Sequence, residues 1–137
     1  MEETITLHIE AEVNPTESEE KVRQAIQNLF GNIETSIESI HRGVKITANA
    51  KGFEALTKFQ NLLRRERIRD AARTVLMEGL DRKSLSFCLN KQVAYAGHAS
   101  FAKETAESPL GPIRVKIESR SPREVIAWLT AKTEQTW

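Results

Sequence analysis

The chain has 137 residues, a formal net charge of +1 at pH 7 and a pI near 7.9, with 39% hydrophobic and 28% charged residues. This composition excludes a disordered chain, and the near-zero charge excludes the pronounced basic excess that is usual in dedicated nucleic-acid binders. No apolar run is long enough to span a membrane, and the N-terminus lacks the pattern of a signal peptide. We therefore expect one cytoplasmic domain over residues 1–137, frayed from about residue 131.

The first third of the chain predicts a strand, a helix and a hairpin. Apolar and polar residues alternate from Thr4 to Val13, which is typical of a strand with one wet face. Thr16 and Glu19 form a capping-box pattern that predicts the start of a helix. Gly31 is the expected stop of this helix, and the alternation over residues 33–48 predicts two paired strands.

The longest helical pattern runs from Phe53 to Leu80 and carries two apolar stripes on nearly opposite sides. One straight helix would need apolar partners on both sides. The pattern therefore favours a break near Arg64 to Arg67, giving two helices that pack on the same sheet. The alternative is one unbroken helix between two layers.

The last part of the chain predicts strands at Ser84–Leu89 and Ile113–Ile117, and a helix that begins at Ser121. Glu124 is expected to cap this helix by reaching back to its first residues. Residues 93–101 fit either a strand or a turn of helix, because a glycine in their middle weakens both interpretations.

Together these elements predict an α+β fold, in which a mainly antiparallel sheet has its helices packed on one face. The other face is expected to carry the polar residues of the alternating strands: Thr6, His8, Glu10, Glu12, Arg114 and Lys116. Such a face is either wet or a dimer surface. Because one helical layer leaves this face and the sheet edges open, we expect a homodimer.

The strongest enzyme-like cluster consists of His8, Glu10 and Glu12, which the two-residue period of a strand places on one face. A solvated strand face is the favoured interpretation, since no other histidine has ligand spacing to this cluster. Cys88, the one cysteine, is expected to be a packed thiol in a strand. The glycines fit no dinucleotide or phosphate-loop pattern. We therefore predict no catalytic, cofactor or metal site, and no enzyme.

A possible nucleic-acid surface is a line of arginines in the long helical region. Arg65, Arg69 and Arg73 are spaced by four residues, which would align their guanidinium groups for successive phosphates. Lys91 would add a further charge. Glu66 and Asp70 lie within one turn and could instead pair with these arginines, so a structural, salt-bridged helix is the competing and favoured interpretation.

Four stretches resemble the archaeal uncharacterised protein family 0201: AEVNPTESEEKV, LLRRERIRDAAR, FCLNKQVAYAG and SPLGPIRVKIES. The similarity runs in order from about residue 5 to residue 129. It implies an α+β fold similar to the large-subunit ribosomal protein that holds 5S RNA, usually assembled as a dimer, and no established activity. The family motifs single out Arg67, Asp70, Arg73, Asn90, Lys91, Gln92, Pro109, Gly111 and Pro112.

Two hypotheses follow. In the first, the protein is a non-enzymatic homodimer of unknown molecular role, where Arg67, Asp70 and Arg73 form a structural ion network and Asn90-Lys91-Gln92 fixes a turn against it. In the second, it is an RNA-binding protein that contacts phosphates through the candidate residues Arg65, Arg69, Arg73 and Lys91.

Overall fold

The computed structural model describes residues 5–103 and 111–131. A short 3₁₀ turn, Phe53–Leu56, precedes the second helix. The elements follow in the order β1 (Thr6–Val13), α1 (Glu19–Phe30), β2 (Thr35–Ser39), β3 (Val44–Lys51), α2 (Thr57–Arg65), α3 (Arg69–Glu78), β4 (Ser84–Leu89), α4 (Lys91–Tyr95), β5 (Phe101–Ala102), β6 (Ile113–Glu118) and α5 (Pro122–Leu129).

The strands form one sheet in the order β2-β3-β1-β6-β4-β5, and all the neighbouring pairs are antiparallel. The predicted α+β fold is therefore confirmed. Alternation along β1 sends Leu7 and Ile9 into the core, while His8 and Glu10 point to the other side. Registry then places Lys116 opposite His8 and Arg114 opposite Glu10, so the predicted polar face exists.

The helices and the inner face of the sheet share one apolar core. Phe59 of α2 lies at its centre, with its ring 5.2 Å from that of Phe30 and 5.6 Å from that of Phe87. Ala72 and Leu76 of α3 are fully buried in the same core. Each half of the long helical region thus buries one of the two stripes seen in the sequence.

Two predicted helix caps are corrected. Ser18, not Thr16, caps α1, because its Oγ accepts the Lys21 N–H at 3.2 Å. Thr16 lies in a turn that is closed by the Glu17 N–H donating to Asn14 O at 2.8 Å. At α5, Pro122 occupies the first turn as expected. Glu124 does not supply the cap, since the Ser121 N–H already donates to Ser119 Oγ at 2.9 Å.

Of the helices in the described ranges, none combines the length and the apolar character needed to cross a membrane.

Candidate nucleic-acid interface

The helical region breaks at Arg67, as the sequence predicts. The Arg67 N–H donates to Arg64 O at 3.1 Å, and the Ile68 N–H donates to Leu63 O at 3.2 Å. This is the Schellman arrangement, which requires a left-handed residue just after the helix. Arg67 supplies it with φ of 59°, and among the described residues it is the one non-glycine with positive φ. A side chain there costs about 1–2 kcal/mol relative to glycine.

The chain uses glycine in the same motif elsewhere. After α4, the Gly97 N–H donates to Ala94 O and the His98 N–H donates to Val93 O, both at 3.0 Å, and Gly97 has φ of 94°. The two motifs differ only in the residue at the left-handed position. Arginine is therefore less favourable than glycine for the backbone conformation at position 67. The exposed side chain of Arg67 makes no ion pair with any described residue.

Arg65 is the last residue of α2, and its side chain is 68% exposed. Its Nη2 donates to Gly97 O at 3.2 Å and lies 3.9 Å from Glu66 Oε2. One edge of the guanidinium is thus held by the loop after α4, while the rest faces solvent. A cation that is both anchored and exposed can contact a phosphate with little further loss of side-chain entropy. We call Arg65 and Arg67 the arginine corner.

Glu66 lies between these arginines but faces inward. Its Oε2 is 2.5 Å from His98 Nδ1, and its Oε1 accepts the Ala99 N–H at 3.4 Å. Burial alone would raise the pKa of Glu66, but these two hydrogen bonds and the charges of His98 and Arg65 outweigh it and lower the pKa. The carboxylate therefore links the loop after α4 to the end of α2. It forms no ion pair with Arg67.

The lowered pKa of Glu66 predicts a loss of stability in acid. A depressed carboxyl pKa stabilises the fold above the unfolded-state pKa, and this contribution disappears as pH falls below about 4 towards the lower folded-state value. Glu66→Gln should therefore be less stable than the unchanged protein at neutral pH, and the difference should shrink in acid. Denaturant unfolding at several pH values checks this, and a difference that stays constant from neutral pH to about pH 3 would contradict it.

The arginine line expected from spacing by four is not formed. Arg65 lies on α2 whereas Arg69 and Arg73 lie on α3, and the left-handed residue between the helices separates the two groups. Arg69 Nη1 donates to Ala131 O at 3.0 Å, and Arg73 Nη1 lies 3.5 Å from Thr130 Oγ1. Both arginines therefore point to the C-terminal end of α5. A positive charge is stabilised there by the helix dipole.

The side chain of Lys91 is buried. It is 6% exposed, and its Nζ donates to Glu12 O at 2.6 Å and to Glu17 Oε1 and Oε2 at 2.9 and 3.2 Å. These bonds join α4 to the end of β1 and the turn before α1. Lys91 is thus a structural cation, and the prediction that it contacts phosphate is corrected.

Within the described residues, the neighbours of Lys91 make no hydrogen bond to Arg67, Asp70 or Arg73, which the first hypothesis requires. Asn90 caps α4, because its Oδ1 accepts the Val93 N–H at 2.9 Å. Gln92 is exposed. α4 itself is held against α1, since Asn28 Nδ2 donates to Ala94 O at 2.9 Å.

The predicted ion network of Arg67, Asp70 and Arg73 is absent from the described residues. Asp70 is exposed, and its backbone carbonyl, not its carboxylate, accepts a bond from Thr74 Oγ1. The left-handed break separates Arg67 from α3, and Arg73 on α3 lies near Thr130 Oγ1 instead of pairing with Asp70. Of the Pro109 to Pro112 turn, Pro109 lies outside the described residues, Gly111 has φ of 80°, and Pro112 is buried.

On the polar face of the sheet, neighbouring polar and charged side chains contact one another. His8 Nδ1 lies 2.5 Å from Asn49 Oδ1, and its Nε2 lies 3.3 Å from Glu118 Oε1. Glu10 lies 4.0 Å from Lys45 Nζ. No group of three possible metal ligands occurs in the described ranges. This face therefore carries charges of both signs, and the absence of a metal or catalytic site on it stays a prediction.

The sequence analysis missed a second basic region, at the far end of α3. Arg82, Arg120 and Arg123 line one shallow depression with Asp81 and Glu124. Ten residues of α3 separate this region from the arginine corner, or about 15 Å. We call it the basic end. Its members come from the loop after α3 and from the loop and first turn of α5, which are far apart in the chain, so no spacing pattern in the sequence indicates that they meet.

Comparison with known proteins places the chain in a family. A family model described as RNA binding matches residues 6–119. A UPF0201 protein of Sulfurisphaera tokodaii is 46% identical over 125 residues, which cover 91% of this chain and 86% of the relative. A UPF0201 protein of Sulfolobus acidocaldarius is 42% identical over the same shares of both chains.

Solved structures agree with these matches. The crystal structure of a UPF0201 protein from Methanococcus jannaschii has a TM-score of 0.81 and 32% identity, and the match covers 91% of this chain and 98% of that one. A second UPF0201 crystal structure has a TM-score of 0.71 and 33% identity, with 82% and 81% covered. This chain therefore belongs to the UPF0201 family of archaeal proteins, as its motifs predict, and to the wider family that the RNA-binding model describes.

Proposed function

We propose that the protein binds RNA and that the arginine corner is its phosphate-contacting site. The observation that carries the proposal is the presence of Arg67 at a left-handed position where this chain uses glycine in the equivalent motif. Residues held in unfavourable backbone regions concentrate at functional sites. Arg67 places an exposed guanidinium at this unfavourable backbone position. Binding of an anion by this guanidinium accounts for an arginine at this position.

The electrostatics of the corner support an anionic ligand. Glu66 bonds to His98 and the Ala99 N–H and lies 3.9 Å from Arg65, but it forms no ion pair with Arg67, so the corner keeps an uncompensated positive charge at Arg67. The near-zero net charge of the whole chain does not oppose this, because contacts to a phosphate backbone depend on local charge. The description of the matching family model supports RNA as the anion, and its range includes the corner.

Replacing Arg67 by glycine tests the proposal through two effects of opposite sign. Arg67→Gly should stabilise the protein by about 1 kcal/mol, since it relieves the left-handed strain. It should also weaken RNA binding about fivefold at about 0.1 M salt, as expected for one lost phosphate contact on a single strand. Denaturant unfolding and fluorescence anisotropy with a labelled RNA measure the two effects.

Arg67→Ala is the matched control, because it removes the guanidinium and keeps a side chain at the left-handed position. We expect the same loss of affinity without the gain in stability. A glycine variant with unchanged affinity for RNA would show that Arg67 is not part of an RNA contact.

The proposed activity is binding without catalysis. His8, the histidine of the one enzyme-like cluster, is engaged by Asn49 and Glu118, and its carboxylate neighbour Glu10 lies near Lys45. These contacts are typical of a structural polar face. A cytoplasmic location and the absence of any cofactor remain predictions from the sequence.

We also propose that the protein forms a homodimer, with β2 as the contact. This strand lies at one edge of the sheet and has no outer neighbour among the described residues. Ile37 in its centre is 47% exposed. Unpaired edges that carry an apolar residue favour pairing with a second copy. Ile37→Lys should convert a dimer to a monomer in light scattering, whereas a protein that is monomeric before the substitution would contradict the proposal.

A further inference from the structure

Tyr95 is an exposed aromatic residue next to the arginine corner. It is the last residue of α4 and is 47% exposed, and its hydroxyl makes no hydrogen bond with a described residue. A single exposed aromatic needs no special explanation. The position of this one, however, is determined by the same loop that anchors Arg65.

The backbone around Tyr95 is held on both sides. Asn28 Nδ2 donates to Tyr95 O at 3.1 Å from α1, and the motif at Gly97 turns the chain back directly after the tyrosine. Arg65 Nη2 binds Gly97 O, only two residues further on. The Cα atoms of Tyr95 and Gly97 are thus no more than about 7 Å apart, so the carbonyl that anchors Arg65 lies close to the backbone of the tyrosine.

A second cation lies over the ring. Lys21 Nζ is 5.7 Å from the centroid of Tyr95, within cation–π range. Lys21 is exposed and flexible, so its amine can move to a phosphate while the ring remains in place. An exposed ring with a cation over it, two residues before the carbonyl that anchors Arg65, supplies the stacking surface and the charges that bind an unpaired base together with its backbone.

We propose that Tyr95 is a stacking platform for a base of single-stranded RNA, with Lys21 and Arg65 on the flanking phosphates. This inference rests on the proposed RNA binding and adds the class of RNA. In a duplex the base faces are covered by neighbouring pairs, and only the grooves and the backbone are presented to a protein. An exposed ring favours RNA in which bases can be turned outward, as in loops, bulges and ends.

The test compares a short labelled oligouridine with a blunt RNA duplex of equal length. Tyr95→Ala should weaken oligouridine binding roughly tenfold, because stacking on one aromatic ring has that effect, and leave duplex binding unchanged. Tyr95→Phe should keep the affinity of the unchanged protein. Met77→Ala, which truncates an exposed apolar residue of α3 outside the proposed RNA and dimer contacts, serves as the control and should change neither.

A second readout does not depend on the alanine variant folding. Irradiation of the unchanged protein with an oligouridine that carries 5-iodouridine should attach the RNA to the peptide containing Tyr95, which mass spectrometry identifies. An equal effect of Tyr95→Ala on both RNAs, no effect on either, or a crosslink confined to other peptides would overturn the stacking role while RNA binding stands. Failure of the unchanged protein to bind either RNA would overturn both proposals.

Discussion

Lys91→Ala is expected to destabilise the protein by about 3 kcal/mol, because it removes one partner of a buried ion pair. The Lys91 and Glu17 side chains are 5% and 11% exposed, and Nζ also donates to Glu12 O. Without the lysine, the Glu17 carboxylate keeps the Asn14 N–H and Nδ2 donors at 2.9 and 3.1 Å. These remaining bonds place the loss at the lower end of the usual range for a broken buried pair.

Denaturant unfolding measures this loss, with Gln92→Ala as the control. Gln92 is the next residue and is exposed, so its substitution should change stability by less than about 0.5 kcal/mol. A double-mutant cycle of Lys91→Met with Glu17→Gln should reveal a coupling of about 2 kcal/mol. An unfolding curve of Lys91→Ala that matches that of the unchanged protein would return Lys91 to the list of possible phosphate contacts.

Replacing both residues of the arginine corner should have the largest effect on RNA. Arg65→Gln with Arg67→Gln removes two exposed guanidinium groups, and two phosphate contacts on a single strand correspond to roughly 25-fold in affinity at about 0.1 M salt. Neither side chain is buried, and Arg65 loses one bond to a backbone carbonyl and a solvent-exposed ion pair with Glu66, which contributes little to stability. The melting temperature should therefore change little. Anisotropy titrations with a pool of cellular RNA measure the loss.

The basic end provides a control with the same change in net charge. Arg82→Gln with Arg123→Gln removes two exposed arginines at the other end of α3. We expect less than about a threefold change in affinity, since only the long-range field is altered. If this variant lost the binding and the corner variant kept it, the protein would bind RNA at the basic end and the site assignment would be wrong.

The elements that follow simple periodic rules could be predicted from the sequence. Alternation in β1 and β6 fixed the inner and polar faces, and the two opposed stripes between Phe53 and Leu80 indicated the break at the right residues. The family assignment also followed from local motifs. These features depend on neighbours in sequence, which a single chain displays directly.

The side-chain partners at the site could not be predicted, because they come from distant parts of the chain. Lys91 lies in a polar tripeptide, which is typical of an exposed turn. In the structure its side chain is buried and forms an ion pair with Glu17, 74 residues earlier. Arg69 turns towards Ala131, 62 residues later, and so leaves the expected arginine line. The left-handed backbone at Arg67 has no signal in the residue type, since glycine is the usual indicator of that conformation.

The affinity of the protein for a pool of cellular RNA, measured as a function of salt concentration, tests both the RNA binding and its assignment to the arginine corner. If the arginine corner binds phosphates, log K should fall linearly with log salt concentration, and the slope for the Arg65→Gln, Arg67→Gln variant should be smaller by about 1.4. A folded protein that does not bind RNA at low salt would contradict the proposed function. Equal slopes for the two proteins would contradict the assignment of the site to the arginine corner.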